Sequence, residues 1–529
     1  MSTPQTKLYI CSGVRINSSY EHSIYFEDAE AQLAYFQSKA VTHRTAYSFI
    51  RKSWKLKVDA SMHTASYWDY LFFQNSESSR WYYYFINNIE YVNDGTVELS
   101  LELDVIQTYM WNYSLNPCFV ERQHTISDEV GEHTVLENLD LGEYTTQVDT
   151  RCMDLTTSHC ILIQSTVNPN TKANVLGALV NGVYSGMGMW AVNVSHWQGL
   201  ATLLDGLSDA GKLDGIVSMW MYPQALVTLV SGENWNDSST VCKRVSGVEK
   251  CAVTYAKAQG TLDGYTPRNK KLLCYPFNFL YVSNNTGNSA VYKFERFEND
   301  RCEFNLEGAL SPDGTVKLVP QYYNGVPNNH EEGITLSGFP TCAWNADVYK
   351  IWLAQNQNQH NTAMTSAGIS FLAGTGTAIA GLATGNLAVA GGGVAMGYHS
   401  LLSIQNLMAA KQDMSIQPHQ AKGSHSVSVN FANNMHTFLI YFKSITAEYA
   451  RMIDEYFDLY GYQINRVTVP NIHARKHYTY VKTVGCHIAS NLCNEDARKI
   501  ESIYNNGITF WKNGQDVCNY TLAKTNLPE

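Results

Sequence analysis

The chain runs to 529 residues, enough for two or more domains that each bury a core of their own. Its formal net charge is −10, only 16% of its residues are charged, and Lys and Arg gather only in short clusters such as Arg475-Lys476. This argues against a surface that grips nucleic acid, which sets clustered cations against phosphate. Its twelve cysteines include no C-x-x-C pair, Cys486 and Cys493 being the closest two, which argues against a thiolate zinc site.

An acidic wall can still handle DNA by repelling phosphate, so that the polymer slides; the simpler reading of −10 is solubility. The 34 Tyr, 19 Phe and 11 Trp suit β-sheets and protein interfaces, and with so little charge they point to an oligomer. The opening MSTPQTKLYICSGVRI has neither the basic region nor the apolar stretch of a signal peptide. Cytosolic synthesis with reduced, mostly buried thiols is expected.

The first 125 residues read as β-rich. In WYYYFINNIEYV, from Trp81, apolar residues fall on both alternating faces, as in a strand covered on two sides. Asn93-Asp94-Gly95 is a hairpin signal. After it Val97, Leu99, Leu101, Leu103 and Val105 alternate with Glu98, Ser100, Glu102 and Asp104, the period of a half-buried strand. The carboxylates on its polar face read as a solvated or lumen-facing surface, because no partner base can be named for a paired-acid site.

From 126 to 350, strand-like pieces (CILIQSTV from Cys160, ALVTLV from Ala225, LCYPFNFLYV from Leu273) alternate with Gly- and Asn-rich turns. A helix is expected around Gln198–Leu207. No fixed period repeats, which argues against solenoids and propellers.

Residues 351–410 hold no Asp, Glu, Lys or Arg; the chain's average composition would put about ten there. An amide-rich tract, Gln355 to Asn361, precedes AGISFLAGTGTAIAGLATGNLAVAGGGVAMG, residues 367–397, where Gly and Ala fill 17 of 31 places. Beyond it Leu401, Ile404 and Met408 fall at helical spacing. Residues 369–390 are long enough to span a hydrocarbon core as a helix. Ser370, Thr375, Thr377, Thr384 and Asn386 supply groups that can bond to backbone or to another helix. Gly381/Gly385 and Gly393/Gly397 would let helices approach closely in lipid, and Gly391-Gly392-Gly393 is a natural reversal point. A conditional membrane-active segment, a buried core helix and a Gly-rich linker all compete for this stretch. The linker is weakened by the many Leu, Ile, Val and Phe. A constitutive anchor is weakened by the absence of a basic flank and by a mean hydropathy of −0.23.

From Ser424 the pattern returns to strands (SVSVNF, FLIYF) and one amphipathic helix, TAEYARMIDEYFDLYGY. Tyr449, Met452, Tyr456 and Leu459 share a face there, and Gly461 fits its end.

Signatures of catalysis are missing. Gly182-Val183-Tyr184-Ser185-Gly186 has its serine one place late for G-x-S-x-G, and neither H-E-x-x-H nor a Walker A loop occurs. His473 and His477 would share a helical face, but Pro470-Asn471 before them and YTYV after them favour turn and strand. No catalytic residue, cofactor or metal ligand is assigned.

Several blocks resemble one known family. They are Val14–Ile16, Tyr25–Lys39, Trp68–Asn75, Arg80–Gly95, Leu103–Asn112 and Phe119–His124 near the N-terminus. Near the C-terminus they are Ala447–Asn471, with its Tyr-Gly-Tyr piece followed by INRV, then Arg475–Thr483 and Asn505–Asn513. In this order they resemble the distal tail tube (tail knob) proteins of small short-tailed phages of the Picovirinae type. The likeness covers roughly the first 125 and last 85 residues and the placement of the apolar segment between them.

The resemblance implies a mainly β fold, with tandem β-barrel-like tube domains assembling as a homohexameric ring. Tube-domain parts would lie at 1–125 and 411–529, a β-rich distal knob at 126–350 and a hydrophobic loop insertion at 351–410. It further implies a virion part at the distal end of the tail, made in the host cytoplasm and contacting the lower collar and other tail proteins, with viral DNA passing through the lumen. The loops would plug the mouth and then penetrate the host cell membrane as a pore. On that reading Ile369, Phe371, Leu372, Ile379, Leu382, Leu387, Val389, Val394 and Met396 face lipid. Gly381, Gly385, Gly391, Gly392, Gly393 and Gly397 are packing and hinge positions. The competing functions are a receptor-binding adhesin, a cell-wall hydrolase and a free pore-forming toxin.

Overall fold

The hairpin at Asn93-Asp94-Gly95 forms between strands Tyr82–Asn93 and Thr96–Leu103. Its closure comes from side chains. Asn93 Oδ1 accepts the Gly95 N–H at 3.0 Å, and the Tyr91 hydroxyl donates to Asp94 at 2.6 Å. A register shift between Tyr91 and Asn93 absorbs the extra residue Val92. In the second strand Val97, Leu99, Leu101 and Leu103 are all buried and the residues between them are not, as the alternation requires. The strand ends two residues before the expected Val105, because Asp104 stops it as a helix cap. Its carboxylate accepts from Ile106 N and Gln107 N at 3.1 Å and from the Tyr70 hydroxyl at 2.9 Å, starting the turn Val105–Tyr109. The first strand is covered on both faces only over Tyr83, Tyr84 and Phe85. From Asn87 onward it projects into solvent, which corrects the two-sided reading.

The structure is a computed structural model. It describes residues 6–342 and 436–528, apart from residues 46, 48–52, 76–79, 153–158, 176–178, 181–182, 185, 194–195, 238, 258–259, 311–313 and 340. The chain is mainly β and divides into two units. The first takes Met1–Glu143, Gly260–Phe277 and Ile445–Glu529; the second takes Tyr144–Gln259 and Asn278–Ser444.

In the first unit a six-stranded sheet runs in the order Ala40–Thr45, Thr6–Cys11, Tyr70–Asn75, Tyr82–Asn93, Thr96–Leu103, Lys55–Asp59. A five-stranded sheet runs His22–Ile24, Ile508–Trp511, Tyr478–Val484, Cys118–Gln123, Tyr462–Thr468, so it joins both ends of the chain. One core is dense with aromatics: the Phe36 ring stacks on Tyr70 at 5.1 Å and Tyr478 meets Trp511 at 4.6 Å.

A second core forms under helix Ala447–Tyr460, whose buried face is Ala450, Ile453, Asp454, Phe457 and Asp458. The apolar stripe read from sequence lies one notch away, and its Met452 is 49% exposed. The packed face carries two aspartates that hydrophobic periodicity passes over. Gly461 ends the helix at φ +66, and a Cβ there would meet the Gln123 backbone at 2.3 Å, so only glycine fits.

The same two aspartates explain why 260–277, read from sequence as part of the middle stretch, packs in the first unit. Asp454 accepts from Asn269 N at 3.0 Å, Arg268 N at 2.9 Å and the Tyr265 hydroxyl at 2.7 Å, while Asp458 pairs with the Arg268 guanidinium. Residues 126–143 join through buried Glu137, which binds Lys271 at 2.5 Å and also pairs with Arg122.

The second unit holds three larger sheets. Their orders are Tyr144–Arg151, Leu439–Ile445, Asn278–Ser283, Ser289–Tyr292; then Val227–Leu229, Lys243–Val248, Gly188–Asn193, His159–Ser165, Ile216–Pro223, Thr341–Cys342; then Cys251–Ala256, Arg301–Ala309, Thr315–Gln321, Ile334–Leu336. Helix Trp197–Asp209 covers one face through Leu200, Leu204 and Leu207, where a helix is expected. Two expected strands are shortened by 3-10 turns: Gln224–Leu226 leaves only Val227–Leu229, and after Lys270–Leu273 the strand begins at Asn278.

Candidate functional site: an apolar sheet row and the base of the charge-free segment

Strand Cys118–Gln123 alternates with Cys118, Val120 and Arg122 buried and Phe119 turned outward. The antiparallel register places Val467 directly opposite Phe119 on one side and Val484 opposite it on the other. Three apolar side chains therefore form one row across three adjacent strands, exposed by 70%, 39% and 53% in the order Val467, Phe119, Val484. Val469, also exposed, continues the patch beyond the strand end, and the Glu121–Lys482 ion pair at 3.0 Å borders it. Single exposed apolar residues are ordinary, but a contiguous row rimmed by charge marks a surface suited to a partner. Phe119 shares its outward face with Glu121 and Gln123, so no hydrophobic period announces the row. Only the cross-strand register assembles it.

The second feature lies in the other unit, where the chain enters and leaves 343–435. On the entering side Thr341–Cys342 pairs with Met219 and Trp220. On the returning side Phe438 accepts the Cys152 N–H at 2.9 Å, and Leu439–Ile445 continues as a paired strand. The two sides meet in a perpendicular ring contact between buried Phe339 and buried His436, centroids 4.8 Å apart, with Tyr222 packed 5.5 Å from Phe339. Burial holds the His436 imidazole down at about 4, so it is neutral at ordinary pH.

The charge-free segment lies outside the described residues. So do the expected lipid-facing Ile369, Phe371, Leu372, Ile379, Leu382, Leu387, Val389, Val394 and Met396 and the hinge glycines Gly381, Gly385, Gly391, Gly392, Gly393 and Gly397. The three carboxylates that alternate with Val97 to Val105, Glu98, Glu102 and Asp104, each have a structural partner. Glu98 pairs with Lys55 at 2.6 Å, Glu102 with Lys499 at 2.6 Å, and Asp104 caps its helix. His473 and His477 lie in the segment before strand Tyr478–Val484 rather than on a helix. His473 stacks on Tyr25 at 5.6 Å, and His477 lies 3.1 Å from the Thr525 hydroxyl. No cluster of three or more metal-ligating side chains occurs among the described residues.

Comparison with known proteins places this architecture. Residues 238–525, more than half of the chain, match the family model described as the C-terminal domain of Bacillus phage phi29 tail knob protein gp9. Residues 4–114 match that of the caudoviral major tail protein N-terminus. Tail knob protein gp9 of Bacillus phage B103 is 25% identical, and that of Bacillus phage phi29 22%, each alignment covering 98% of both chains. The solved tail knob protein gp12 of bacteriophage C1 shares the fold, with a TM-score of 0.65 over 99% of this chain and 100% of that one at 15% identity.

Proposed function

The chain belongs to the family of the Bacillus phage phi29 tail knob protein gp9 C-terminal domain, and from that premise we propose that it is a structural tail knob protein, not an enzyme. In this reading copies form a ring, a homohexamer, at the distal end of the tail and contact the other tail proteins. Viral DNA passes through the lumen, and segment 351–410 plugs the mouth and then enters the host membrane as a pore.

The observation that carries the membrane step is compositional: 60 consecutive residues without a formal charge, inserted in a chain that is 16% charged overall. In lipid, Leu, Ile and Val would face hydrocarbon while Thr and Asn groups line water, and the paired small residues would allow close packing. The row Val467–Phe119–Val484 supports assembly, because burying one such side chain contributes about 1.5–3 kcal/mol.

The double variant F119D/V467D tests the assembly. Both side chains point outward, so the variant should still fold, losing about 1–2 kcal/mol because the two carboxylates face each other across the strand pair. In electron micrographs and by sedimentation it should lose the ring that wild type forms. Rings of unchanged mass and stability would remove this face from the assembly.

A further inference from the structure

Two buried thiols of the first unit have no part in anything above. Cys118 opens the strand Cys118–Gln123, and Cys486 follows the end of the strand Tyr478–Val484. The register pairs Val484 with Phe119, so Cys118 and Cys486 lie just beyond the last pairing of the same two strands. Gly485, at φ +64, turns the chain there, and Asn505 fixes the turn by accepting from both Cys486 N and the Thr483 hydroxyl at 3.0 Å. Both side chains are buried in the same core, and both thiols are free. Carried one step further, the register sets Cys118 opposite Gly485, so Cys486 is its diagonal neighbour at the end of the ladder, and the turn at Gly485 leaves both side chains in the core.

We propose that Cys118 and Cys486 are a redox modification site, a dithiol that closes to a disulfide once the protein leaves a reducing compartment. With a small-molecule disulfide such as oxidised glutathione as oxidant, the chemistry is two exchanges. The Cys118 thiol loses its proton, and its sulfur attacks one glutathione sulfur. A Cys118–glutathione bond forms and one glutathione leaves, taking up a proton. Cys486 sulfur, deprotonated in turn, attacks Cys118 sulfur and releases the second glutathione, which is also protonated. Two protein thiols are oxidised and one glutathione disulfide is reduced to two thiols, with no net change in protons.

The order follows from burial. It raises both thiols above the usual cysteine range and pushes Cys486 the further, to about 12, so Cys118 is the first to react. The pair therefore reacts slowly in the folded protein and is held for a long exposure to oxidant. The bond would tie the N-terminal stretch of the first unit to its C-terminal stretch, with the second unit and the charge-free segment lying between them in sequence. A loop of that length places the stabilisation in the upper part of the range for disulfides.

The test uses the full chain in a C493S/C518S background, which removes the two thiols exposed among the described residues. The folded protein is incubated with oxidised glutathione, its remaining thiols are alkylated, and its peptides are mapped by mass. The expected result is a linked pair of peptides containing Cys118 and Cys486, cleaved by dithiothreitol. It should come with an upward shift in Tm that C118S and C486S each abolish. Recovery of both cysteines alkylated, or of each carrying its own glutathione, would overturn the inference. So would a linked pair that appears only after unfolding, or one that forms without raising Tm. The mass map on the background protein decides the matter even if either serine variant folds poorly.

Discussion

Replacing Glu137 with alanine is expected to destabilise the first unit by about 3–5 kcal/mol, because it strands two buried cations. The Glu137 side chain is fully buried. Lys271, also buried, binds it at 2.5 Å and sits over the Tyr462 ring at 5.3 Å. Arg122 pairs with its other oxygen and donates to Gly461 O at 2.7 Å, while Gln463 N donates to Glu137 at 2.9 Å. Burial already pulls the Lys271 ammonium below the usual lysine range against the pull of Glu137. Without the carboxylate neither cation has a compensating charge, and the joint between 126–143, 260–277 and the helix end at Gly461 opens. Urea unfolding of E137A beside wild type measures the loss. A change under 1 kcal/mol would show that water reaches these cations.

Acid is expected to unfold the first unit mainly through His124. Its Nδ1 accepts the Tyr480 N–H at 2.8 Å, and its Nε2, 3.2 Å from Asp458 O, is placed to donate. The ring is thus held as one neutral tautomer. Burial, with Arg475 as the next cause, pushes it down to about 3. An unfolded histidine titrates near 6.5, so above that pH the two states bind the same protons and the full contribution is present. As pH falls from 6.5 toward 3 the unfolded chain takes a proton that the folded one refuses, and stability is lost. The loss is on the order of 4–5 kcal/mol across the window. Asp104 works in the opposite direction. Burial raises it to about 6, so between 6 and the unfolded value near 4 it favours the folded state on acidification and offsets about half of that loss. In wild type stability should therefore fall between pH 6.5 and 3. In H124Q, which keeps a donor and an acceptor but does not titrate, it should be lower at pH 7 and lose the steep limb. Equal pH slopes in the two proteins would assign acid unfolding to other groups.

The elements legible in the sequence are those where one local rule decides. Alternation alone reads Val97 to Leu103, turn residues read the hairpin at Asn93, and the small residue at Gly461 reads the end of its helix. Where polar groups do core work, periodicity misleads. Asp104 ends a strand that hydrophobic alternation would extend, and Asp454 and Asp458 shift the buried face of their helix away from Met452. The packing of 260–277 in the first unit rests on Asn269 and Lys271, whose partners lie far away in sequence, so no window of the chain reveals it. The apolar row at Phe119 is invisible for the same reason. By contrast, the charge-free segment is legible from composition alone, since a long absence of charge requires no partner to be recognised.

The membrane step is the central claim, and dye release from liposomes by the purified protein, across a range of pH, tests it most directly. Wild type is compared with a variant whose residues 363–409 are replaced by a short Gly/Ser linker. Leakage by wild type alone, with the variant still forming the same ring in electron micrographs, is the predicted result. If neither protein releases dye under any condition, segment 351–410 is a passive stopper or a core element, and the pore is contradicted while the tail knob assignment stands.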